Sequence, residues 1–499
     1  MNPDEPPIGG PKLGITALCM ALVFMAAIDM SIVVLALPQL RAALGASIED
    51  TSWFVNAYLV ANLTMIPMTG FLQRRYGFRV SLSVAVAVFG LASLSCSLCA
   101  TSTQLVLARG LQGLGGGVMM PSAMALLIQR FDEHERPMAI AWTSVGVLAG
   151  SLSGTSVGGW LVDRFGWEMI FSINLPISAL LLVGLWGFIR RDLQDPDPPA
   201  FDALSYLLLA GMMIALHLAF EEWIDWGGLR SPKIGACLLV SLGGALALYR
   251  RERDKARPTL NVRLLRRKSF ALAVLLSFGR GVIVFGAIYL SSLMMVEGMG
   301  LSPTQSGVVL AQAALCQGLV LFALGRRVRG RSPYRFLALG VLLSASGTWL
   351  LCSLTGAEST WQVTWPHFIR VTGVALLSIP LHTLALDGLS DHEVGDANGL
   401  YNFFFEFGGA AGNALLALRF AADSALARSQ LRSLTPLGGS NWTQIQLAQL
   451  AEAVDTHARF VGFNQGFATL TQVSLAIGVG TFFLWLLQRE PKGGRSSAH

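Results

Sequence analysis

The stretch Leu105–Pro121, LVLARGLQGLGGGVMMP, places a single arginine inside a glycine-rich, apolar run. Its length and composition predict a helix within a membrane. A cation at that depth is costly unless it faces a partner or a water-filled cavity. The best candidate partner lies in the first apolar segment, LVFMAAIDMSIVVLALP (22–38), where Asp29 is the only acidic or basic residue. We therefore expect Asp29 and Arg109 to form a buried ion pair.

The composition extends this picture to the whole chain. Of its 499 residues 53% are hydrophobic and only 13% are charged, and the mean hydropathy is +0.56. Such values exclude an ordinary soluble globule. Apolar runs of about 20 residues, long enough to cross a ~30 Å hydrocarbon core as helices, recur from end to end. They predict an all-α polytopic membrane protein with about fourteen transmembrane helices, near residues 13–36, 51–72, 79–99, 104–129, 137–160, 167–189, 203–221, 233–250, 268–292, 304–325, 333–354, 362–387, 396–419 and 463–487.

The charges of the loops predict the orientation. Alternate loops on one side hold most of the arginines and lysines, including the dense run between residues 250 and 268. Cytoplasmic loops carry such an excess, so both termini are expected in the cytoplasm. The net charge of +6 is accounted for by this asymmetry and does not indicate a nucleic-acid partner. Residues 1–12 lack the features of a removable signal peptide, so the first apolar segment is expected to remain a membrane helix.

The helices are expected to form two bundles. Residues 1–189 contain six helices; residues 190–267 contain a Pro/Asp-rich cytoplasmic hinge, two inserted transmembrane helices and a basic linker; residues 268–499 contain six more helices. Two related bundles place a substrate site between them, near the bilayer midplane. A long polar segment at 420–462 lies on the periplasmic side of the second bundle, where it is either a structural cap or a docking surface for a periplasmic partner.

The fifth helix carries a regular glycine pattern. One glycine in every four residues places a backbone groove along one face, against which another helix can lie closely and slide or bend. The glycines are Gly146, Gly150, Gly154 and Gly158, followed by Gly159.

No enzymatic constellation stands out. The seven histidines are scattered, and the GLGGG run lacks the Lys-Ser/Thr of a phosphate loop. Cys96 and Cys99 have metal-ligand spacing, but no histidine lies near them in an apolar segment, so packing is the favoured interpretation. We therefore expect no metal and no cofactor, and a polytopic membrane enzyme is the weaker alternative to a transporter.

Short motifs along the chain resemble a known family. The first helix runs from Asp29 to an Ala-Leu-Pro end, the loop GFLQRRYGFR (70–79) joins helices 2 and 3, and the fourth helix contains Arg-x-x-Gln-Gly from Arg109. The glycine seam of helix 5 has Thr155 where a proline is usual. Together these motifs resemble the fourteen-helix drug:proton antiporter branch of the major facilitator superfamily, the EmrB/QacA type. The resemblance implies the major facilitator fold, with two six-helix bundles plus two inserted helices.

The resemblance implies proton-driven efflux of drugs or other amphipathic small molecules across a bacterial inner membrane, a route to antibiotic resistance. The proton gradient would supply the energy. A periplasmic adaptor and an outer-membrane channel would complete a tripartite pump. Export of an endogenous metabolite or fatty-acid-like compound is the alternative, because the intramembrane charges do not decide between cationic and anionic substrates. Asp29 and Glu406 favour cations, whereas Arg109 and Arg280 can receive anions.

The loop motif implies conformational roles for Gly70, Arg74, Gly77 and Arg79. Its acidic position is Arg74 in this chain, so the gate contact that the acid makes elsewhere in the superfamily is not expected to transfer. Gly113 of helix 4 and the glycine seam of helix 5 are the other motifs implied to serve conformational change.

Three intramembrane charges are candidates for proton coupling. Asp29 is interpreted as a proton carrier, since burial favours its neutral form and an adjacent cation favours its ionised form. Arg109 would hold Asp29 ionised in one conformation and release it in the other. Glu406 lies in a run of phenylalanines and is either a second coupling or cation-contacting residue or the partner of Arg280 in a structural ion pair. Arg370, near the periplasmic end of its helix, is interpreted as an interface anchor.

A substrate cavity is predicted between the bundles. Sites for amphipathic compounds combine aromatic surface with a few polar groups. The side chains expected to line it are Gln112, Trp142, Arg280, Asn402 and Phe405.

Overall fold

The computed structural model describes residues 11–46, 48–132, 135–189, 201–223, 226–255, 258, 261–327, 332–356, 358–434 and 444–489. Every regular element in these ranges is helical. All fourteen segments predicted to cross the membrane overlap helices, which confirms the all-α fold class. Other features predicted at residues 1–10, 190–200 and 435–443 lie outside the described residues.

The first bundle contains seven helical elements that form six membrane helices. They are α1 (Lys12–Leu44), α2 (Ile48–Met65), α3 (Thr69–Ser97), α4 (Ser102–Arg130), α5 (Arg136–Phe165), α6 (Glu168–Ser172) and α7 (Asn174–Phe188). A short 3-10 turn, Ile66–Met68, joins α2 to α3, and α6 with α7 forms the sixth membrane helix.

A sharp turn inside α3 separates the second membrane helix from the third. Gly77 there has φ 75° and ψ 171°, a backbone conformation that side chains with a Cβ rarely adopt. The part of α3 before Gly77 completes the second membrane helix, and the part after it is the third. The predicted conformational role of Gly77 thus falls on a turn that requires glycine.

The inserted pair consists of α8 (Ala203–Glu221) and α9 (Pro232–Arg253). The two helices pack against each other, and α8 also contacts α2 and α14. The rings of Trp53 and His217 meet edge to face, with 6.4 Å between centroids. Most of α9 is exposed on the outside of the protein, as expected for a helix in contact with lipid.

The second bundle contains α10 (Lys268–Leu293), α11 (Pro303–Arg327), α12 (Pro333–Leu351), α13 (Thr360–Leu386), α14 (Asp391–Leu434) and α15 (Gln444–Arg489). The last two are 44 and 46 residues long. At 1.5 Å per residue each spans roughly 65 Å, about twice a hydrocarbon core. They continue beyond the bundle as a helical hairpin, in which Arg428 Nε lies 2.9 Å from Asp455 Oδ1.

Eleven described stretches are long and apolar enough to cross a membrane. One of them, Trp53–Ser97, contains two membrane helices separated by the Gly77 turn. Helices α5 and α14 are not among the eleven, but each packs on another helix of its bundle, α5 on α1 and α14 on α10. Together these helices account for the fourteen predicted membrane segments.

The glycine seam of α5 packs directly on α1. A Cβ added at Gly150 would lie 2.5 Å from the carbonyl oxygen of Phe24, and one at Gly154 would lie 2.6 Å from Cβ of Ser31. Gly146 and Gly158 meet α1 at similar distances, whereas the surroundings of Gly159 lie outside the described side chains. The seam therefore brings α1, which carries Asp29, close against the fifth membrane helix.

The molecule has two faces, named here by what each carries. The linker face carries the Gly77 turn and the linker of residues 250–268, and the hairpin face carries the α14–α15 hairpin. In the described part of the chain, the hydrogen bonds, ion pairs and aromatic contacts that join the two bundles all lie in the half nearer the linker face. The structure is therefore closed at the linker face.

Candidate functional site

The centre of the first bundle contains an ion pair between Asp29 and Arg109. Arg109 Nη1 donates to Asp29 Oδ2 at 2.8 Å. The two side chains are only 0% and 1% exposed, so neither charge is solvated by bulk water. The structure thus brings together the two intramembrane charges that the sequence singled out, one from α1 and one from α4.

The second carboxylate oxygen of Asp29 is held by amides from two other helices. Gln112 Nε2 donates to Asp29 Oδ1 at 2.7 Å, and Asn174 Nδ2 donates to the same oxygen at 2.8 Å. Ser93 Oγ accepts from both amides, at 2.7 and 3.2 Å. One carboxylate therefore ties together the first, third, fourth and sixth membrane helices.

The guanidinium of Arg109 makes two further hydrogen bonds. Its Nε donates to the carbonyl oxygen of Phe54 at 2.9 Å, and Nη1 donates to Gln112 Oε1 at 2.6 Å. The ring of Tyr58 lies under the guanidinium, 4.5 Å from Cζ to the centroid, in cation–π geometry. The second membrane helix thus supplies both a backbone acceptor and an aromatic face.

Glycines on α4 make this approach of helices possible. A Cβ at Gly113 would lie 2.3 Å from the carbonyl oxygen of Tyr58, and one at Gly117 would lie 2.3 Å from that of Asn62. On another face, a Cβ at Gly115 would lie 2.6 Å from the carbonyl oxygen of Ala85. The glycine-rich run after Arg109 therefore lets helices 2 and 3 contact α4 at backbone distance, which places the ring of Tyr58 and the hydroxyl of Ser93 at the ion pair.

The hydrogen bonds suit the ionised form of Asp29. A carboxylate is only an acceptor, and three N–H groups here point at it. A protonated carboxyl would bring one O–H donor into a site already filled with donors, and at least one of these bonds would have to break. Asp29 is therefore the common acceptor of side chains from two other membrane helices.

Three members of this network were not singled out as site residues from the sequence. Ser93, Asn174 and Tyr58 are uncharged and stand among apolar residues, where a role in packing is the default interpretation. A sequence-based search could have looked for such residues because a buried carboxylate needs several hydrogen-bond donors around it. Gln112, predicted to line a substrate cavity, is instead fully buried in the network.

Glu406 and Arg280 lie in the second bundle without forming an ion pair. Among the described residues Arg280 Nη1 donates to Ser378 Oγ at 3.0 Å, and its Cζ lies 4.0 Å from the ring centroid of Phe405. Glu406 is half-buried and close enough to Tyr58 and Arg280 to interact with both electrostatically. The structural ion pair with Arg280 is not formed.

The other predicted cavity residues lie near the interface between the bundles. Asn402 Nδ2 donates to the carbonyl oxygen and Oδ1 of Asn398, at 2.9 and 3.1 Å, within its own helix. Trp142 on α5 meets Phe322 on α11 edge to face, with 5.3 Å between centroids. Phe405, under Arg280, also packs on Phe285. Each of these contacts involves a different pair of side chains, and the cavity that they were predicted to line stays a prediction.

The residues of the loop motif lie at the linker face. Gly70 packs against the start of α14, and Arg79 lies over the ring of Trp186, with 4.7 Å from Cζ to the centroid. Arg74 forms an ion pair with Asp396 of the second bundle, with side chains 14% and 3% exposed. The contact of the family's acid was not expected to transfer to Arg74; the structure instead pairs this cation with an acid of α14, in the other bundle.

The interpretation of Arg370 as an interface anchor is also wrong. Its side chain is 3% exposed, inside the second bundle, where Gly347 packs on its backbone. Arg370 lies ten residues after the start of α13, far enough along the helix for neighbouring side chains to bury it. Among the described residues no cluster of three or more potential metal ligands is present.

The fold matches solved transporters over nearly its full length. The human organic anion transporter MFSD10 (TETRAN) superposes with a TM-score of 0.64 at 14% identity, covering 93% of this chain and all of that one. The proton:xylose symporter XylE gives a TM-score of 0.63 at 12% identity, covering 95% of each chain. The two bundles and the buried charge pair thus define a polytopic membrane transporter. The chain belongs to the Major Facilitator Superfamily, which residues 19–413 match.

Curated relatives fall within the EmrB type. The colistin resistance protein EmrB of Acinetobacter baumannii is 26% identical over 88% of this chain and 87% of its own length. The multidrug export protein EmrB of Escherichia coli K12 is 24% identical over 97% and 96%. The tetracenomycin C resistance and export protein of Streptomyces glaucescens is 29% identical over 82% and 76%. These similarities confirm the resemblance that the motifs indicated.

Proposed function

We propose that this protein exports drugs or other amphipathic small molecules in exchange for protons, with Asp29 as the principal proton carrier. The observation that supports this most directly is the network in which one buried carboxylate accepts hydrogen bonds from Arg109, Gln112 and Asn174. Ionisable groups within a membrane are retained mainly for function. The similarity to named multidrug export proteins supports drugs as the substrate class.

The proposed cycle uses the network as a two-position switch. When Asp29 is ionised, its bonds hold the first, third, fourth and sixth membrane helices in the arrangement described. A proton delivered to the carboxylate removes the charge that Arg109 neutralises and adds a donor, so the helices repack. The glycine seam between α1 and α5 gives α1 a smooth surface on which to move. The proton gradient is the only energy source in this scheme, and no cofactor takes part.

In this proposal the protein lies in a bacterial inner membrane with both termini and the linker face in the cytoplasm. The basic residues of the linker face support that orientation. The bundles are closed at the linker face, so the conformation described is the one that faces outward. The proposed units are residues 1–189, the inserted pair and linker within 190–267, and residues 268–499.

Glu406 is the proposed contact for cationic substrates. It is a half-buried carboxylate at the interface between the bundles, surrounded by phenylalanines. Aromatic rings with one unpaired carboxylate are the surface that an amphipathic cation requires. Export of an endogenous fatty-acid-like compound is the second candidate, because Arg280 offers a guanidinium in the same region.

Transport in proteoliposomes tests the proposal. Purified protein is reconstituted with an imposed pH gradient, and movement of a fluorescent amphipathic cation and of a fluorescent fatty acid is followed. Movement of the cation that depends on the gradient supports drug:proton exchange. Movement of the fatty acid alone supports the second candidate, and movement of either without a gradient contradicts proton coupling.

A periplasmic adaptor is the proposed partner of the α14–α15 hairpin, as part of a tripartite pump with an outer-membrane channel. The hairpin continues beyond the bundle and carries exposed charges paired as Arg428–Asp455 and Arg419–Asp423.

Deletion of 420–462 would also remove Phe460, which packs in the bundle. Replacing residues 431–453 by a short Gly-Ser turn is the cleaner test. Capture of a coiled-coil adaptor by the intact chain and its loss with the shortened hairpin, at unchanged dye transport, is expected; equal capture contradicts the partnership.

A further inference from the structure

The ion pair of Arg74 and Asp396 joins the two bundles at the linker face. Arg74 Nη1 donates to Asp396 Oδ2, and the carboxylate is 3% exposed. One residue comes from the end of the second membrane helix and the other from the first turns of α14. Separating the bundles at this face must break the pair.

The ion pair lies where the two backbones touch. A Cβ at Gly70 would lie 2.7 Å from the backbone N and Cα of Asp396, and one at Gly399 would lie 3.0 Å from the carbonyl oxygen of Ile66. Nearby, Asn398 Nδ2 donates to the carbonyl oxygen of Pro121 on α4 at 2.7 Å. The contact is therefore a closed gate made of backbone, hydrogen bonds and one buried ion pair.

The linker between α9 and α10 is bound to both members of this pair. Arg74 Nη2 donates to the carbonyl oxygen of Pro258 at 3.1 Å. The side chain of Asn261 lies close enough to the carboxylate of Asp396 to interact with it. The gate thus has three parts, one from each bundle and one from the linker.

Before the gate, the end of α9 and the start of the linker are both bound to the N-terminus of α8. Arg251 donates to both oxygens of Asp202 through Nε and Nη2, at 2.8 and 3.2 Å, and Lys255 binds the same carboxylate. The Arg251 guanidinium, assisted by Lys255, holds the pKa of Asp202 well below its usual range, so this fastening stays charged at physiological pH. Arg263 donates to the carbonyl oxygens of Arg253 and Lys255 and folds the linker back on itself.

Beyond the gate, the linker is fastened to α14. Arg267 Nη2 donates to the two carboxylate oxygens of Glu393 at 3.1 and 3.3 Å, and its Nη1 donates to the carbonyl oxygen of Gly388 at 3.2 Å. Glu393 stands three residues before Asp396 on the same helix. The linker therefore crosses the gate with an ion-pair anchor on each side.

From this chain of contacts we infer that the 250–268 linker is a strap that braces the closed gate, and that it couples the inserted helix pair to gate opening. Arg74 and Asp396 act as a latch, with a cation at the position where the family has an acid. Pro258 and Asn261 hold the strap against this latch. A movement of the two inserted helices is then transmitted to the ion pair of Arg74 and Asp396 through Asp202 and Arg251. The inference rests on the alternating-access function proposed above.

Hydrogen exchange on the full-length protein in lipid nanodiscs tests the strap. Peptides covering 66–78, 252–264 and 391–400 report the three parts of the gate. Arg74→Ala should speed exchange in all three by about tenfold, which corresponds to about 1.4 kcal/mol of closed-state stability. Faster exchange confined to peptides 66–78 and 391–400 would mean that the linker does not contribute to the closed gate.

Arg251→Ala is the decisive variant, because Arg251 touches neither bundle's gate residue and its pair with Asp202 is partly exposed, so the protein is expected to fold. The strap predicts faster exchange in 66–78 and 391–400 as well as in the linker. Faster exchange in 252–264 alone contradicts it. Arg419→Ala, which removes an exposed pair on the hairpin side, is the matched control and should change none of the three peptides.

A charge exchange separates the latch from the strap. With Arg74→Asp and Asp396→Arg together, the ion pair can re-form, but an aspartate at position 74 cannot donate to Pro258. Protection should recover in part in 66–78 and 391–400, because the ion pair re-forms without its brace, and remain reduced in 252–264. No recovery in the gate peptides contradicts the latch, and full recovery there with an unprotected linker contradicts the strap. These measurements need neither substrate nor proton gradient, so a failed strap leaves the transport assay valid, and a failed transport assay leaves the strap tested.

Discussion

Arg109 Nη1 lies 2.8 Å from Asp29 Oδ2, across the contact of the first and fourth membrane helices, with both side chains almost fully buried. The pair is not isolated, because two amides also donate to the carboxylate. A buried pair with complete hydrogen bonding persists in low dielectric, whereas a lone buried charge does not. Changing the charge of either residue therefore changes how four helices pack.

Removing the cation should destabilise the protein more than removing both charges. Arg109→Ala leaves Asp29 buried without its counter-ion, and the expected loss is about 3–5 kcal/mol of unfolding free energy. Asp29→Asn combined with Arg109→Gln replaces the charges by neutral groups that can still hydrogen-bond, and should lose less than Arg109→Ala. Denaturant unfolding in mild detergent provides the comparison. Equal loss in the two variants would show that the pair contributes little.

Arg109→Lys should abolish gradient-driven transport although it keeps the positive charge. The guanidinium donates in two directions, to Phe54 from Nε and to Asp29 and Gln112 from Nη1. The ammonium of lysine is a compact donor that cannot reproduce this planar arrangement. Transport in proteoliposomes and folding by size-exclusion chromatography are measured together. Wild-type transport by Arg109→Lys would mean that charge alone suffices.

A side chain on the α5 seam should stop movement of α1. Gly150→Ala would place a Cβ 2.5 Å from the Phe24 carbonyl oxygen, and such overpacking costs roughly 1–3 kcal/mol. The expected result is a drop of at least about tenfold in transport rate. Gly110→Ala is the control, because a Cβ there meets nothing within 4 Å and alanine is the better helix former. Equal rates in the two variants would remove the seam from the mechanism.

Glu406→Gln should act on substrate charge. The amide keeps the shape of the carboxylate and loses the attraction for a cation, so the KM of a cationic dye should rise by about tenfold while that of a neutral dye stays the same. Initial rates over a range of dye concentrations measure this. Loss of transport for both dyes at unchanged KM would place Glu406 in proton coupling instead.

The sequence predicted the elements of this protein better than their contacts. Hydropathy and glycine spacing indicated the membrane helices and the α5 seam, because both depend on local composition. The partner of the seam, α1, could not be read from spacing. The ion pair of Asp29 and Arg109 was predictable because each is a lone charge in an apolar segment, and the cost of burial forces such charges together.

The errors arose where tertiary contacts decide. No partner could be named for Arg74, because the family's acid is missing at this position; the structure supplies an acid, Asp396, from a helix more than 300 residues away in sequence. Arg370 was placed at the interface from its distance to a helix end, yet its neighbours bury it. Ser93 and Asn174 are unremarkable in sequence and become site residues only through their position around Asp29.

Proton release on substrate binding tests the central claim most directly. A cationic substrate dye is added to the purified protein in weakly buffered detergent solution, and the pH is recorded for wild type, Asp29→Asn and Glu406→Gln. If Asp29 carries the exchanged proton, wild type and Glu406→Gln release protons when the dye binds, and Asp29→Asn binds the dye without release. Undiminished release by Asp29→Asn would contradict the account and move the proton to another group.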